Sequence, residues 1–350
     1  MQRQRAGAVI VVVLALCATA LAAFSGGRRG AASPHGGGGG SAQPQAVGDP
    51  SSAPPPAPPP RPPKAPFAVG LHVLRLTDPS RLIRLPSGAR ERRPLITYVR
   101  YPALGSPSGH DVPNAPPARS AGPFPLVVFG HGYAVTPNIY SRLLQAWARA
   151  GYVVAAPVFP LENANAPGGP DESDLVNQPR DMSVVMSRLI TAGNRRSGPL
   201  SQMIDAHRIG VAGQSDGGET ALAVAYDRRF RDPRVRAAAI LSGAEIPTVG
   251  GFSFPPASPP LLATQGSADT VNRPSFTRAF FLAATRPKFL LTLPGAGHLP
   301  PYTGGQPQLG IVERVTVAFF DAYLRGQVGA YPRLLAQGSV AGLSTLRALP

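Results

Sequence analysis

Cysteine is nearly missing from this chain of 350 residues: Cys17 stands alone, so no disulfide can form within the chain. Stability has to come from packing. Lysine is almost as scarce, with only Lys64 and Lys288, so nearly all of the 34 basic residues are arginines. Acidic residues number 18, and the formal net charge is +16. Residues 1–66 hold six basic and one acidic side chain and the rest of the chain holds 28 and 17, so the excess is spread over both parts. No aromatic-interleaved basic patch gathers it, and a specific nucleic-acid surface is not expected. The diffuse charge can still attract anionic surfaces without specificity. The six histidines, His35, His72, His110, His131, His207 and His298, lack the paired spacing of a zinc site, and the acids form no calcium loop, so no metal or other cofactor is expected.

Long apolar runs are confined to the amino terminus. Arg3 and Arg5 precede an apolar stretch from Ala6 to Phe24, and Ala20-Leu21-Ala22 looks like a signal-peptidase site, which predicts export. The stretch is also long enough for an uncleaved anchor that would hold the protein at a membrane or cell envelope. Leu16 is too bulky before Cys17 for a lipoprotein signal. Residues 25–66 carry Gly36 to Gly40 and the Pro54 to Pro63 cluster, a composition that cannot bury enough apolar surface to fold and is expected to be a disordered linker. A folded domain is expected over 67–326, with a C-terminal extension at 327–350.

What is present is chemistry in a fixed order. Residues 209–218 read Ile-Gly-Val-Ala-Gly-Gln-Ser-Asp-Gly-Gly, an apolar strand entering a G-x-S-x-G turn that would lift the Ser215 hydroxyl above the sheet edge. The bland alternative is an ordinary glycine-rich turn between strand and helix. Upstream, the strand Phe124 to Phe129 feeds Gly130-His131-Gly132-Tyr133, where glycines let the backbone turn amides toward a reacting carbonyl. The candidate oxyanion donors are the amides of Tyr133 and Asp216. Downstream, the strand Pro260 to Gln265 ends in Gly266-Ser267-Ala268-Asp269, and Lys288 to Leu293 is followed by Pro294-Gly295-Ala296-Gly297-His298. Asp269 is the candidate acid, with Glu245 as its rival after the strand Arg236 to Leu241, and His298 is the candidate base. His131 reads as a brace for its own loop.

These four motifs, in the order nucleophile, acid, histidine behind an oxyanion turn, resemble the α/β-hydrolase superfamily from about Leu95 to Arg325. With Ala150-Gly151-Tyr152-Val153-Val154-Ala155-Ala156-Pro157, the chain looks like the secreted polyester hydrolase, chlorophyllase and platelet-activating-factor acetylhydrolase-like branch. The resemblance implies hydrolysis of small or lipid-like carboxylic esters through an acyl-enzyme, with Ser215, His298 and Asp269 as triad. A catalytically inactive binding protein, or a thioesterase or peptidase with the same triad, are the alternatives. Asp216 departs from the branch, where a neutral or basic residue often follows the serine; its side chain is expected to point away, toward an arginine or as a carboxylate at a helix N-terminus.

The expected fold is α/β, a mostly parallel central sheet with helices on both faces and antiparallel early strands at Phe67 to Leu76 and Glu91 to Tyr101. Helices are expected over Ile139 to Ala150, Pro179 to Ala192 and Ile311 to Leu324, with Leu143, Leu144 and Trp147 facing the core. Two loops, Phe159 to Asn177 and Gly243 to Pro260, could wall the site, the second carrying Phe252 and Phe254.

Overall fold

Short strands made almost wholly of apolar residues can only sit where both faces are covered. The computed structural model describes residues 65–246 and 249–350, and it places those strands at the centre of a ten-stranded sheet. The segments expected to be a leader and a linker lie, up to residue 64, outside the described residues.

In chain order the strands are β1 (Ala68–Arg84), β2 (Arg90–Ala103), β3 (Val112–Pro113), β4 (Phe124–Gly130), β5 (Val153–Pro157), β6 (Ile204–Gln214), β7 (Val235–Leu241), β8 (Leu261–Gly266), β9 (Lys288–Leu293) and β10 (Thr345–Leu349). The sheet order is β10-β9-β8-β7-β6-β4-β5-β2-β1-β3. Strands β4 to β9 run parallel, whereas β1 and β2 form an antiparallel hairpin and β10 pairs antiparallel with β9. This is the α/β-hydrolase arrangement.

Helices cover both faces. On one side α2 (Gln178–Gly193), α3 (Asp216–Tyr226) and α4 (Pro274–Ala283) pack Met182, Leu189, Leu222 and Phe280 against Leu126, Val128 and Val211. On the other, α1 (Ser141–Arg149), the single turn α5 (Pro300–Thr303) and α6 (Gln308–Tyr323) pack Leu144, Trp147, Tyr302, Val315 and Phe319 against Val127, Phe129 and Ala212. Alternate residues of one strand thus feed opposite cores, the period-two geometry of a pleated strand. Trp147 is a core residue, and its Nε1–H donates to Thr316 Oγ1 at 2.7 Å.

Two elements differ from the sequence expectation. Strand β1 continues to Arg84 through Pro79 because the chain bulges between Asp78 and Leu82, and Asp78 accepts from the Ser80 backbone and hydroxyl at 2.9 and 2.6 Å. The segment expected as an extension past residue 327 holds a further helix, α7 (Ala330–Gly338), packed on α6, and β10, which covers the β9 edge. Among the described residues no helix is long and apolar enough to cross a membrane.

Candidate active site

The turn after β6 is the tightest point of the fold. A Cβ on Gly213 would lie 1.9 Å from the Gly217 carbonyl oxygen, and one on Gly217 would lie 2.1 Å from the Gly130 carbonyl oxygen. Any larger side chain at these positions would push α3 off the sheet. Ser215 between them has φ 56°, a left-handed conformation that a non-glycine residue adopts only when its surroundings impose it. Its amide donates to the Leu241 carbonyl at 3.0 Å, and its carbonyl accepts the Glu219 amide at 3.0 Å to start α3. The hydroxyl is thereby held just beyond the carboxyl edge of the parallel strands.

Three side chains from three loops meet there. Ser215 Oγ lies 2.9 Å from His298 Nε2, and His298 Nδ1 lies 2.8 Å from Asp269 Oδ2. The network assigns Nδ1–H as donor to the carboxylate and leaves Nε2 to accept the serine proton. Asp269 is 3% exposed and accepts three further bonds, from the amides of Val271 and Asn272 at 2.9 and 3.0 Å and from Gln265 Nε2 at 3.2 Å. Gln265 is fixed in turn by Thr277 of α4 at 2.6 Å. The rival acid Glu245 is exposed and makes no hydrogen bond to His298 among the described residues.

Opposite the serine, the turn after β4 passes so close that a Cβ on Gly132 would lie 3.1 Å from Ser215 Cβ. The Gly132 amide donates to Tyr140 Oη at 3.3 Å, whereas the amides of Tyr133 and Asp216 donate to no other group among the described residues. Two free donors beside the serine are what a developing oxyanion needs. His131 is fully buried; its Nδ1–H donates to the Gly132 carbonyl at 2.9 Å and its Nε2 accepts the Phe159 amide at 3.0 Å. Burial pushes its imidazole down to about 4, so it remains neutral and braces the loop.

Gln214 and Tyr140 carry a structural role that the motifs do not announce. Tyr140 donates to Gln214 Oε1 at 2.7 Å, and Gln214 Nε2 donates to the His298 carbonyl at 3.1 Å, tying the oxyanion turn to the histidine loop. The one sequence signal was the unassigned glutamine inside the G-x-S-x-G turn.

Asp216 is, as expected, a carboxylate in the first turn of α3, but it does not point away from the serine and among the described residues no arginine pairs with it; Oδ1 lies 3.5 Å from Ser215 Oγ, and its carboxyl is within hydrogen-bonding reach of Glu162, from the loop after β5. Burial, followed by the Asp216 charge, pushes Glu162 up to about 10. Burial and Glu172 push Asp216 up to about 6. Glu162 also accepts from Gln178 of α2. Phe252 and Phe254 pack into the domain: Phe252 against Leu175 and Val249, Phe254 on the Tyr226 ring at 4.8 Å. Among the described residues no group of three His, Cys, Asp or Glu side chains is placed to hold a metal ion.

Residues 114–267, less than half of the chain, match the family model described as Chlorophyllase. The match covers the turn at Gly130 to Tyr133 and the Ser215 elbow and ends before Asp269 and His298. No curated protein matches the chain significantly. Together with the sheet topology, the match places the chain in the α/β-hydrolase superfamily and indicates a hydrolase acting on esters.

Proposed function

We propose that this α/β-hydrolase cleaves carboxylic esters through an acyl-enzyme, with Ser215 as nucleophile, His298 as general base and acid, and Asp269 as the group that orients the imidazole. The reading is carried by one observation: the unbroken relay from Ser215 Oγ to His298 at 2.9 Å and on to Asp269 at 2.8 Å. A serine hydroxyl is a weak nucleophile until a neighbouring base takes its proton. His298 Nε2 takes it as Oγ attacks the carbonyl carbon, and the tetrahedral oxyanion is received by the amides of Tyr133 and Asp216. The imidazolium then gives its proton to the leaving alcohol, and water, activated the same way, releases the acid. The carboxylate of Asp269 stabilises the imidazolium without taking its proton.

Export, followed by work outside the cell or at its envelope, is part of the same proposal and rests on the leader in residues 1–24.

The test is turnover of p-nitrophenyl acetate and butyrate, with thioester and peptide-amide analogues beside them, by the full-length protein and by Ser215→Ala. Ester turnover falling by at least about a thousandfold in the variant is the expected result. A wild type as slow as the variant would mean a binding protein on a hydrolase fold, and amides or thioesters cleaved faster than esters would reassign the substrate.

A further inference from the structure

The sheet edge that carries Ser215 is acidic in a protein whose net charge is +16. Asp216 is 8% exposed, with Oδ1 3.5 Å from Ser215 Oγ. No N–H or hydroxyl among the described residues donates to its Oδ2, and Glu162 Oε1 is buried without such a donor as well. These two carboxyls face each other, and two carboxyls in contact hold one proton between them and keep one negative charge. Asp174 and Glu172 add to the field at Glu162, while Glu172 and His298 face Asp216.

Four other buried carboxylates are treated differently, although Glu219 also lacks a cationic partner among the described residues. Asp78, Asp174, Asp181 and Asp232 are each answered by an arginine, from Arg81, Arg93 or Arg234. Among the described residues no lysine or arginine pairs with Glu162, Asp171, Glu172 or Asp216. Tyr133 lies in the field of all four acids, and its side chain is anchored by a bond from Oη to the Pro170 carbonyl at 3.1 Å. Asp171, Glu172 and Tyr133 are solvent-exposed.

An uncompensated buried negative charge beside a nucleophile, flanked by exposed acids and an aromatic ring, is the electrostatic complement of a cation. We propose that the site selects esters bearing a positively charged group such as a quaternary ammonium, with Asp216 setting the preference and Tyr133 and Glu172 forming its outer rim. The inference rests on the ester-hydrolase reading above; the cationic group docks and takes no part in bond making or breaking. The same charge disfavours esters of dicarboxylic acids that present a second, free carboxylate.

Two esters of the same shape decide it: acetylcholine and its uncharged isostere 3,3-dimethylbutyl acetate, assayed by pH-stat with the full-length protein. The wild type should favour acetylcholine in kcat/KM by at least about tenfold at low ionic strength, with the ratio shrinking as salt is added. Asp216→Asn should bring the ratio to within about twofold and Glu172→Gln should give an intermediate value, as expected for one charge removed near the substrate and one further out. Because the readout is a ratio, a general loss of activity in a variant leaves it interpretable, and if Asp216→Asn abolishes turnover the salt dependence and Glu172→Gln decide. A wild-type ratio near one, a ratio indifferent to salt and to both substitutions, or cleavage of p-nitrophenyl acetate with neither isostere accepted would overturn the proposal. Failure to cleave any ester, p-nitrophenyl acetate included, would instead overturn the ester-hydrolase reading beneath it.

Discussion

Glu219 shows how much one buried carboxyl can weigh. It is fully buried on α3, its Oε1 accepts the Ile246 amide, and its Oε2 has no donor among the described residues. Burial pushes it up to about 9, with the Ile246 bond opposing, so the folded protein keeps a proton there that the unfolded chain releases near the ordinary glutamate value. The sign follows from linkage: a folded pKa above the unfolded one supports the fold fully in acid, and that support is lost as pH rises toward 9. Glu219→Gln mimics the protonated form. It should stabilise the protein by at least about 1 kcal/mol at pH 8 and by much less near pH 5, read from denaturant melts at both values. An equal effect at the two pH values would mean that Glu219 is ionised in the fold. Ser215, Asp269 and His298 stood out in the sequence because each follows a strand in a glycine-rich turn. Glu162 did not, because it lies 53 positions before Ser215 in a loop with no periodic pattern, and only the fold brings it to Asp216.

At the scale of elements, the parallel strands were legible almost to the residue, apart from β6, which begins at Ile204 and not at Ile209, since uninterrupted apolar runs bounded by Pro and Gly leave few other readings. Strand β9 falls at Lys288–Leu293 as expected, and the helix expected over Pro179 to Ala192 is α2, Gln178–Gly193. The hairpin of β1 and β2 was read too short because Pro79 argues against a strand, and nothing local signals the Asp78 turn and the Arg81 pairs to Asp78 and Asp181 that carry the chain across it. The contact between α3 and β4 makes a sharper prediction. Gly217→Ala would drive a methyl into the carbonyls of Gly130 and His131, whereas Gly218→Ala meets its nearest neighbour at 3.1 Å. The first should cost about 3 kcal/mol or more and abolish esterase activity, and the second should be much milder; chemical denaturation of the pair checks it. Equal stabilities would mean that helix and strand are not so closely packed.

The described part of the chain is built on a sheet whose middle is parallel and which is flanked by the antiparallel pairs β1–β2 and β9–β10. Residues past 327 looked like an appendage because they follow the last motif and carry none of their own, yet β10 pairs with β9 over five residues, and Leu334 of α7 is fully buried. Strand β9 leads directly to the His298 loop. Removing residues 340–350 would bare its edge, and the shortened protein should melt several degrees lower and aggregate on concentration, as differential scanning calorimetry and light scattering would record. An unchanged melting temperature would show that the edge needs no cover.

The bonded path from Gly132 through Tyr140 and Gln214 to the His298 carbonyl couples the two jaws of the cleft. A bulky acyl group cannot prise one jaw open without dragging the other, so the chemical centre shifts as one block or stays put. Room for differently shaped molecules must then be found in the outer loop at 159–177, which brings Glu162 and Glu172 to bear on Asp216. That loop is the place to remodel when a new specificity is wanted, with the inner linkage left untouched.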